Sequence, residues 1–186
     1  MLTVISGPMF AGKTSKLISM IKSNIIAGNA VEVFKPSNDD RYGLEKITTH
    51  DGVDIEAEVL DANRPLESYF IKDWFPTRAV AFFEECQFFK PADFVILVNT
   101  IMADRRNVVC AGLPNDFQGK PFGAMPQLMA LADEVISLKA VCSKCKGIGI
   151  ATRTFRKTKD TAQTVVGGAE MYEPRCYGCW SEDLKI

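Results

Sequence analysis

A chain of 186 residues with 47% apolar and 24% charged residues has the size and composition of a globular protein with one sizeable core. Its formal net charge of −1 gives no reason to expect binding to nucleic acids or to acidic membranes. Met1 leads directly into a strand-like run with no basic leader, and no apolar run reaches the length of a membrane span, so we expect a cytosolic protein.

The first elements of the chain predict a strand, a helix and a second strand in close succession. Leu2–Ser6 is a short apolar run, Thr14–Ala27 has apolar residues at helical spacing, and Ala30–Phe34 is again strand-like. Such a βαβ succession predicts a parallel sheet.

The remaining elements up to residue 138 continue this alternation. Ser37–Asp51 is polar and irregular, and Asp54–Trp74 is expected to contain one amphipathic helix. Further strands are expected at Arg78–Glu84, Val108–Leu113 and Glu134–Leu138, with helices at Pro91–Arg105 and Gln127–Ala132. The pattern predicts an α/β fold with helices flanking a parallel sheet.

The composition changes at Lys139. Between Lys139 and Lys159 the chain carries seven Lys or Arg residues and neither Asp nor Glu. We therefore expect two domains, a nucleotide-binding α/β domain over residues 1–138 and a small metal-bound domain over residues 139–186.

The segment between the first strand and the first helix has the pattern of a phosphate-binding P-loop, Gly-x-x-x-x-Gly-Lys-Thr. Its residues are Gly7, Pro8, Met9, Phe10, Ala11, Gly12, Lys13 and Thr14. The glycines allow successive N–H groups to point at an anion, and the helix N-terminus adds a favourable dipole. Lys13 is expected to reach the β- and γ-phosphates of a nucleoside triphosphate, and Thr14 to ligate Mg²⁺.

Two adjacent carboxylates, Glu84 and Glu85, end the third predicted strand. In P-loop proteins a carboxylate at the end of a neighbouring strand lies beside the phosphates and orders Mg²⁺. The pair suggests two roles, one toward the metal and one as a base on the nucleophile. A solvated acidic turn is the alternative.

Four cysteines form two Cys-x-x-Cys pairs, Cys142 with Cys145 and Cys176 with Cys179. Two such turns facing each other give a closed tetrahedral Zn²⁺ site of structural type; disulfides and free thiols are the alternatives. Cys86 and Cys110 lie singly in apolar runs and are interpreted as small core residues. The only histidine, His50, is interpreted as a loop residue that forms hydrogen bonds.

Taken together, these motifs resemble the zinc-containing, cytosolic (type II) thymidine kinases over nearly the whole chain. The resemblance is carried by the Pro8-Met9-Phe10 form of the loop, by Glu84-Glu85 followed by Gln87-Phe88-Phe89, and by the cysteine pairs. Phe117-Gln118-x-Lys120-Pro121-Phe122 and Val166-Gly167-Gly168-Ala169-x-x-Tyr172 also match.

The resemblance implies a P-loop NTPase fold of RecA-like type with a C-terminal zinc domain that carries a lasso loop. It implies transfer of the ATP γ-phosphate to the 5′-hydroxyl of thymidine, and of deoxyuridine, with Glu85 as the catalytic base. It also implies a role in nucleotide salvage for DNA synthesis, a homotetramer and feedback inhibition by dTTP, without stable binding to nucleic acids or membranes.

The family's binding residues carry over to this chain by motif. The ATP and Mg²⁺ site then comprises the P-loop together with Asp39, Asp40, Arg41, Glu84, Glu85, Cys86 and Gln87. The nucleoside site comprises Met9, Phe88, Phe117, Thr152, Gln163, Thr164, Val165, Val166, Gly167 and Tyr172. Within it the resemblance places Phe117 against the thymine ring and residues 161–172 in the lasso that closes over the nucleoside.

Two positions depart from the family pattern. Glu84 stands where members usually have Asp, and Leu113-Pro114-Asn115-Asp116 stands where Leu-Asp-Gly-Thr is common.

Two other functions remain open on the residues alone. A different P-loop phosphotransferase or ATPase with a structural zinc would share the loop and the acidic pair. An ATP-driven nucleic-acid-binding zinc module would find its only support in the basic run between Lys139 and Lys159.

Overall fold

The computed structural model describes residues 1–39, 45–49, 51–62, 66, 79–165 and 167–185. Among these, none of the helices is both long and apolar enough to pass through a lipid bilayer.

Ten strands and four α-helices are formed by the described residues. The strands are β1 Leu2–Ser6, β2 Val31–Pro36, β3 Lys46–Thr48, β4 Asp54–Glu56, β5 Glu58–Leu60, β6 Val80–Phe83, β7 Val108–Gly112, β8 Glu134–Ser137, β9 Arg153–Arg156 and β10 Tyr172–Arg175. The helices are α1 Lys13–Ile26, α2 Pro91–Ala103, α3 Met125–Leu131 and α4 Tyr177–Leu184. A 3₁₀ turn spans Cys86–Phe88.

The main sheet has six parallel strands in the order β5-β2-β6-β7-β1-β8. This confirms the predicted α/β fold, including the helix expected at Pro91–Arg105 despite its strand-like composition, which is observed as α2. Pro91 occupies the first turn of α2, where its missing N–H costs nothing.

The region between β2 and β6 differs from the sequence-based expectation. Strand β3 pairs with β4 in an antiparallel hairpin, and β5 joins the edge of the main sheet. The first part of the stretch Asp54–Trp74, where one amphipathic helix was expected, therefore forms strands β4 and β5. Residues 63–65 and 67–78 lie outside the described part of the chain. Three-residue strands carry too short a pattern for periodicity to reveal them.

Apolar residues cover both faces of the main sheet. Val4 of β1 packs in the cluster that includes Phe94 and Leu97 of α2, and the adjacent Ile5 packs in the cluster that includes Leu17 of α1. Successive side chains of a strand point to opposite faces, so one buried strand supplies both cores. The sheet thus gives a rigid edge at the carboxyl ends of β1, β6 and β7, where functional loops of open α/β sheets meet.

The C-terminal segment contains a two-stranded sheet. Strand β9 pairs with β10 in an antiparallel ribbon, and a bridge joins Ala140 to Ala151. Helix α4 follows β10 directly. Residues 157–171 connect the two strands of the ribbon and, together with Tyr172 of β10, include the predicted lasso.

Candidate active site

The phosphate loop folds around the start of α1. Gly12 adopts φ +81°, a left-handed conformation that a residue with a Cβ atom rarely takes, and precedes the first helical residue. The ammonium of Lys13 curls back and donates a hydrogen bond to the Pro8 carbonyl at 2.9 Å. The loop therefore presents the N-terminal N–H groups of α1 toward the cavity beside it.

Thr14 and Glu84 are brought together from separate elements. The Thr14 hydroxyl at the start of α1 donates a hydrogen bond to the Glu84 carboxylate at the end of β6. A hydroxyl and a carboxylate in contact beside a phosphate loop are the oxygen ligands that P-loop proteins offer to Mg²⁺. Glu84 is buried, so the extra methylene relative to Asp is accommodated within the fold.

The cavity beside the loop, here called the phosphate cavity, is lined by polar and charged residues. Lys13, Thr14, Asp39, Glu84 and Glu85 all line it. Lys35 also lines it and is 1% exposed; its ammonium donates to the Lys46 carbonyl at 3.1 Å and lies 3.8 Å from the Asp39 carboxylate.

A second cavity, here called the aromatic cavity, lies next to the first. Phe88, Phe117, Phe122 and Tyr172 line it, and the rings of Phe88 and Phe122 meet edge to face with centroids 5.8 Å apart. Its lining combines these rings with polar side chains, among them Asn115 and Asp116, which suits a small molecule that has both a ring and polar groups.

Glu85 and Met9 line both cavities. The backbone of Glu85 has φ 49°, a left-handed conformation that is uncommon for a residue with a side chain and that recurs at functional sites. The two adjacent carboxylates consequently have separate environments, Glu84 at Thr14 and Glu85 at the junction of the cavities.

Arg156 of β9 holds the lasso over the aromatic cavity. Its guanidinium donates hydrogen bonds to the carbonyls of Asp160, Ala162 and Gln163 and to the Tyr172 hydroxyl. The Arg156 guanidinium carbon also lies 3.7 Å from the centroid of the Phe117 ring. Since guanidinium groups stack well on aromatic faces, this residue joins the lasso to the aromatic wall.

Two further hydrogen bonds close the lasso. The Tyr172 hydroxyl donates to the Val165 carbonyl at 2.7 Å. The Gln163 amide donates to the Asp116 carboxylate at 2.8 Å, across 47 residues of sequence. Asp116 is 3% exposed, and its other carboxylate oxygen accepts backbone N–H groups of Gln118 and Lys120 at 2.9 Å each.

The ribbon of β9 and β10 also contacts the phosphate loop directly. The backbone N–H of Met9 donates to the Thr154 hydroxyl at 3.0 Å. The ribbon that carries the lasso is thereby fixed relative to the loop that faces the phosphate cavity.

The four paired cysteines form one cluster. The sulfurs of Cys142, Cys145, Cys176 and Cys179 all lie within 4.8 Å of one another, and those of Cys145 and Cys176 are 3.9 Å apart. Four thiolates at 2.3 Å from a tetrahedral Zn²⁺ have sulfurs about 3.8 Å apart, so this donor set fits zinc.

Two thiols of the cluster, Cys142 and Cys179, have pKa values shifted in opposite directions. Burial alone would raise the pKa of the Cys142 thiol, but backbone N–H groups of Cys145, Cys176 and Lys144 point at its sulfur and lower that pKa to about 6. A hydrogen bond to Cys176 and burial raise the pKa of Cys179 to about 12. A divalent ion would supply the charge that four neighbouring thiolates require.

Charged side chains join the two cysteine turns. Lys144, between Cys142 and Cys145, pairs with Glu182 at 2.9 Å and with Asp183 at 2.6 Å. Asp183 of α4 also pairs with Arg175 at 2.5 Å. Hydrogen bonds to both carboxylates raise the pKa of Lys144, so this link is charged throughout the physiological range.

Most of the predicted site residues that the structure describes lie on the two cavities. Gln87, predicted for the ATP site, lies instead on the aromatic cavity together with Gln163, Thr164, Val165 and Gly167. Cys86 is fully buried in the core and lines neither cavity, because its side chain points away from the junction. Asp40, Arg41, Val166 and His50 lie outside the described residues.

Thr152, predicted to line the nucleoside site, also lies off both cavities. The backbone of Thr152 bonds to Arg175, and its hydroxyl accepts a hydrogen bond from Arg153, whereas Thr154, two residues on, reaches the cavity. Sequence reasoning also missed Lys35, Asp116 and Arg156. The buried positions of such charged residues become apparent only when their partners, distant in sequence, are known.

A P-loop, a hydroxyl–carboxylate pair beside it and a second, aromatic cavity sharing one carboxylate define a nucleotide-dependent phosphotransferase. The thymidine kinase family model matches residues 1–180 of the chain. A thymidine kinase of Mesomycoplasma hyopneumoniae (strain 7448) is 38% identical to it over 178 residues, which cover 96% of this chain and 94% of that protein. The chain belongs to the thymidine kinase family, and ATP is its phosphate donor.

Proposed function

We propose that this kinase transfers the γ-phosphate of ATP to the 5′-hydroxyl of thymidine, and of deoxyuridine, with Glu85 as the base that accepts the hydroxyl proton. The observation that carries the proposal is the position of Glu85 on both cavities. A base must lie within hydrogen-bond reach of the proton it removes, and only a group at this junction can contact a hydroxyl that faces a triphosphate.

The phosphate cavity would hold the triphosphate. N–H groups at the start of α1 bind its oxygens, and Lys13 and Lys35 offset the charge that develops during transfer. Lys13 would leave the Pro8 carbonyl to do so. Mg²⁺, when bound, neutralises phosphate charge, and Thr14 and Glu84 are the residues that would hold it.

The aromatic cavity would hold the nucleoside. Phe117 and Phe88 offer ring surfaces to the base, and the lasso offers main-chain groups of Gln163 to Gly167 to the pyrimidine edge and the sugar. Enclosure by the lasso excludes water, which otherwise competes with the 5′-hydroxyl for the phosphoryl group.

The zinc would be structural. The four cysteines leave no open position for a substrate, and their two turns lie at the ends of the segment that includes the ribbon and the lasso. Zinc at this point fixes both ends of the segment that closes over the nucleoside.

Feedback inhibition by dTTP is supported by the position of the phosphate cavity and the aromatic cavity side by side, with Met9 and Glu85 lining both. A thymidine triphosphate carries, in one molecule, the two chemical groups that the adjoining cavities suit. From the family resemblance we also propose a cytoplasmic homotetramer that serves nucleotide salvage for DNA synthesis.

The test is a panel of nucleosides incubated with purified, zinc-loaded protein, ATP and Mg²⁺, scored for 5′-monophosphate. We expect thymidine and deoxyuridine to be phosphorylated and purine nucleosides to be poor substrates. A protein that leaves thymidine unphosphorylated while converting another nucleoside would contradict the proposed substrate. Light scattering on the same preparation checks the tetramer.

A further inference from the structure

Gln87 contacts the Glu85 carboxylate directly. It lies on the 3₁₀ turn that follows β6 and is 2% exposed. Its side-chain amide nitrogen lies 2.5 Å from a carboxylate oxygen of Glu85, and its amide oxygen lies 2.9 Å from the backbone nitrogen of Leu113.

The orientation of this amide is set by chemistry. The Leu113 N–H can only donate, so the oxygen of the Gln87 amide must face it. The NH₂ group then faces Glu85 and donates to its carboxylate. If the amide were turned over, its NH₂ group would face the Leu113 N–H, donor against donor. Its oxygen would then face the Glu85 carboxylate, acceptor against acceptor.

The position of the Gln87 side chain is restricted by packing as well. A Cβ atom on Gly112, at the end of β7, would lie 2.6 Å from the Gln87 amide oxygen. The absence of a side chain at Gly112 therefore lets the end of the strand approach the amide closely. Gln87 is thus held by the main sheet, whereas Glu85 lies in a left-handed turn beside two cavities.

We propose that Gln87 is a positioning residue that holds the Glu85 carboxylate toward the reacting hydroxyl and keeps it charged. The inference rests on the proposed role of Glu85 as the base. The end of β7 fixes the position of the Leu113 N–H, and that N–H fixes the Gln87 amide. The amide in turn holds the carboxylate of Glu85, whose own backbone is strained. A hydrogen bond donated to a carboxylate favours its ionised form, which is the form that accepts a proton.

The main variant is Gln87→Met, which keeps length and packing but removes the donor to Glu85. We expect kcat to fall about 10- to 100-fold, the effect of losing one hydrogen bond to a charged group. The KM values for ATP and thymidine should stay within about threefold. The acidic limb of the pH profile of kcat should move upward by roughly one pH unit, because the carboxylate loses a donor that stabilises its charge.

A double-mutant cycle separates positioning from a general effect on the fold. If Gln87 acts through Glu85, adding Gln87→Met to Glu85→Gln should change the residual turnover less than threefold. An equal loss in both backgrounds, or an unmoved acidic limb, would overturn the inference. If Gln87→Met does not fold, Gln87→Asn carries the same test, since an amide that is one methylene shorter cannot bond both the Leu113 N–H and the Glu85 carboxylate.

Gln163→Leu is the matched control. Gln163 also donates from a side-chain amide to a carboxylate on the aromatic cavity, but its acceptor is Asp116. We expect it to raise the thymidine KM and leave the pH profile in place. Normal turnover of Glu85→Gln alone would remove the base role itself, whereas a slow Glu85→Gln beside an unaffected Gln87→Met would remove only the positioning role.

Discussion

The indole nitrogen of Trp180 donates a hydrogen bond to the backbone carbonyl of Phe117 at 3.0 Å, across 63 residues of sequence. Trp180 lies on α4, directly after Cys179 of the cysteine cluster, and Phe117 lines the aromatic cavity. The turn of the cysteine cluster and the wall of the aromatic cavity are therefore one hydrogen bond apart.

Replacing Trp180 by Phe should weaken thymidine binding without affecting ATP. The variant keeps an aromatic ring but loses the indole N–H, and a lost hydrogen bond costs on the order of 1 kcal/mol, or about fivefold in KM. Steady-state KM values for both substrates are the measurement. The control is Tyr177→Phe, since Tyr177 packs beside Trp180 with centroids 5.8 Å apart and is largely exposed. Equal effects of the two variants would refute this link.

Replacing Glu85 by Gln should lower kcat by a factor of about 10²–10⁴, the usual contribution of a positioned base, with ATP affinity nearly unchanged. Gln keeps the shape of the side chain but cannot accept the proton. Single-turnover measurements and ATP titration test both parts. Glu84→Gln is the companion variant and should instead raise the Mg²⁺ concentration needed for half-maximal rate, because Glu84 contacts Thr14.

Removal of zinc should impair thymidine binding before ATP binding. The lasso lies between the two cysteine pairs, and the Phe117 carbonyl accepts a hydrogen bond from Trp180 beside Cys179. The P-loop, in contrast, follows β1 of the main sheet. Calorimetric titrations of each substrate before and after chelation give the comparison, and the metal released should amount to one ion per chain. Cys110→Ala serves as the control, since Cys110 is a buried core residue of β7 and should leave the zinc content unchanged. Unaltered thymidine affinity after chelation would contradict the structural role.

Replacing Arg156 by Lys should loosen the lasso. Lysine keeps the charge but lacks the planar fork that binds several carbonyls while stacking on Phe117. We expect a rise in thymidine KM of roughly 10- to 100-fold and faster proteolysis within residues 157–171. Arg105→Lys, at an exposed position after α2 that lines neither cavity, is the control and should change neither. Wild-type proteolysis of Arg156→Lys would disprove this anchoring.

Replacing Glu32 by Gln should stabilise the protein more as the pH rises. Burial in β2 and the nearby Glu58 carboxylate raise the pKa of Glu32 to about 7 from 4.5, against the opposing charge of Arg106. Because its pKa is raised in the native state, the Glu32 carboxyl ionises at a lower pH in the unfolded chain than in the folded protein. The native state therefore loses stability as the pH rises from 4.5 to 7, and the full loss applies above that range.

Thermal unfolding of Glu32→Gln at several pH values checks this sign. We expect little change near pH 4.5 and a gain on the order of 1 kcal/mol at pH 8, after allowance for solvent screening of a partly exposed group. Glu134→Gln, at an exposed position of β8, should have little effect at any pH. A gain that is constant with pH would rule out ionisation as its cause.

Much of the fold follows from the order of its elements. Strand β1, helix α1 and the P-loop between them carry strong local patterns, and α2 could be assigned because Pro91 and the need for a crossover outweighed its strand-like residues. The hairpin of β3 and β4 and the edge strand β5 could not be predicted, because three residues give no usable period.

The amino-acid sequence alone determined the groups that do chemistry: the glycines and lysine of the P-loop, the adjacent carboxylates and the four thiols are recognisable because their spacing is local. Only the tertiary structure decided how these groups are divided, with Glu84 at Thr14, Glu85 between the cavities, and Gln87 beside Glu85 on the aromatic cavity. It also selected Thr154 over Thr152 and buried Arg156 and Asp116 in the lasso contacts. The physical reason is that side-chain direction and burial depend on partners many residues away, which spacing along the chain does not encode.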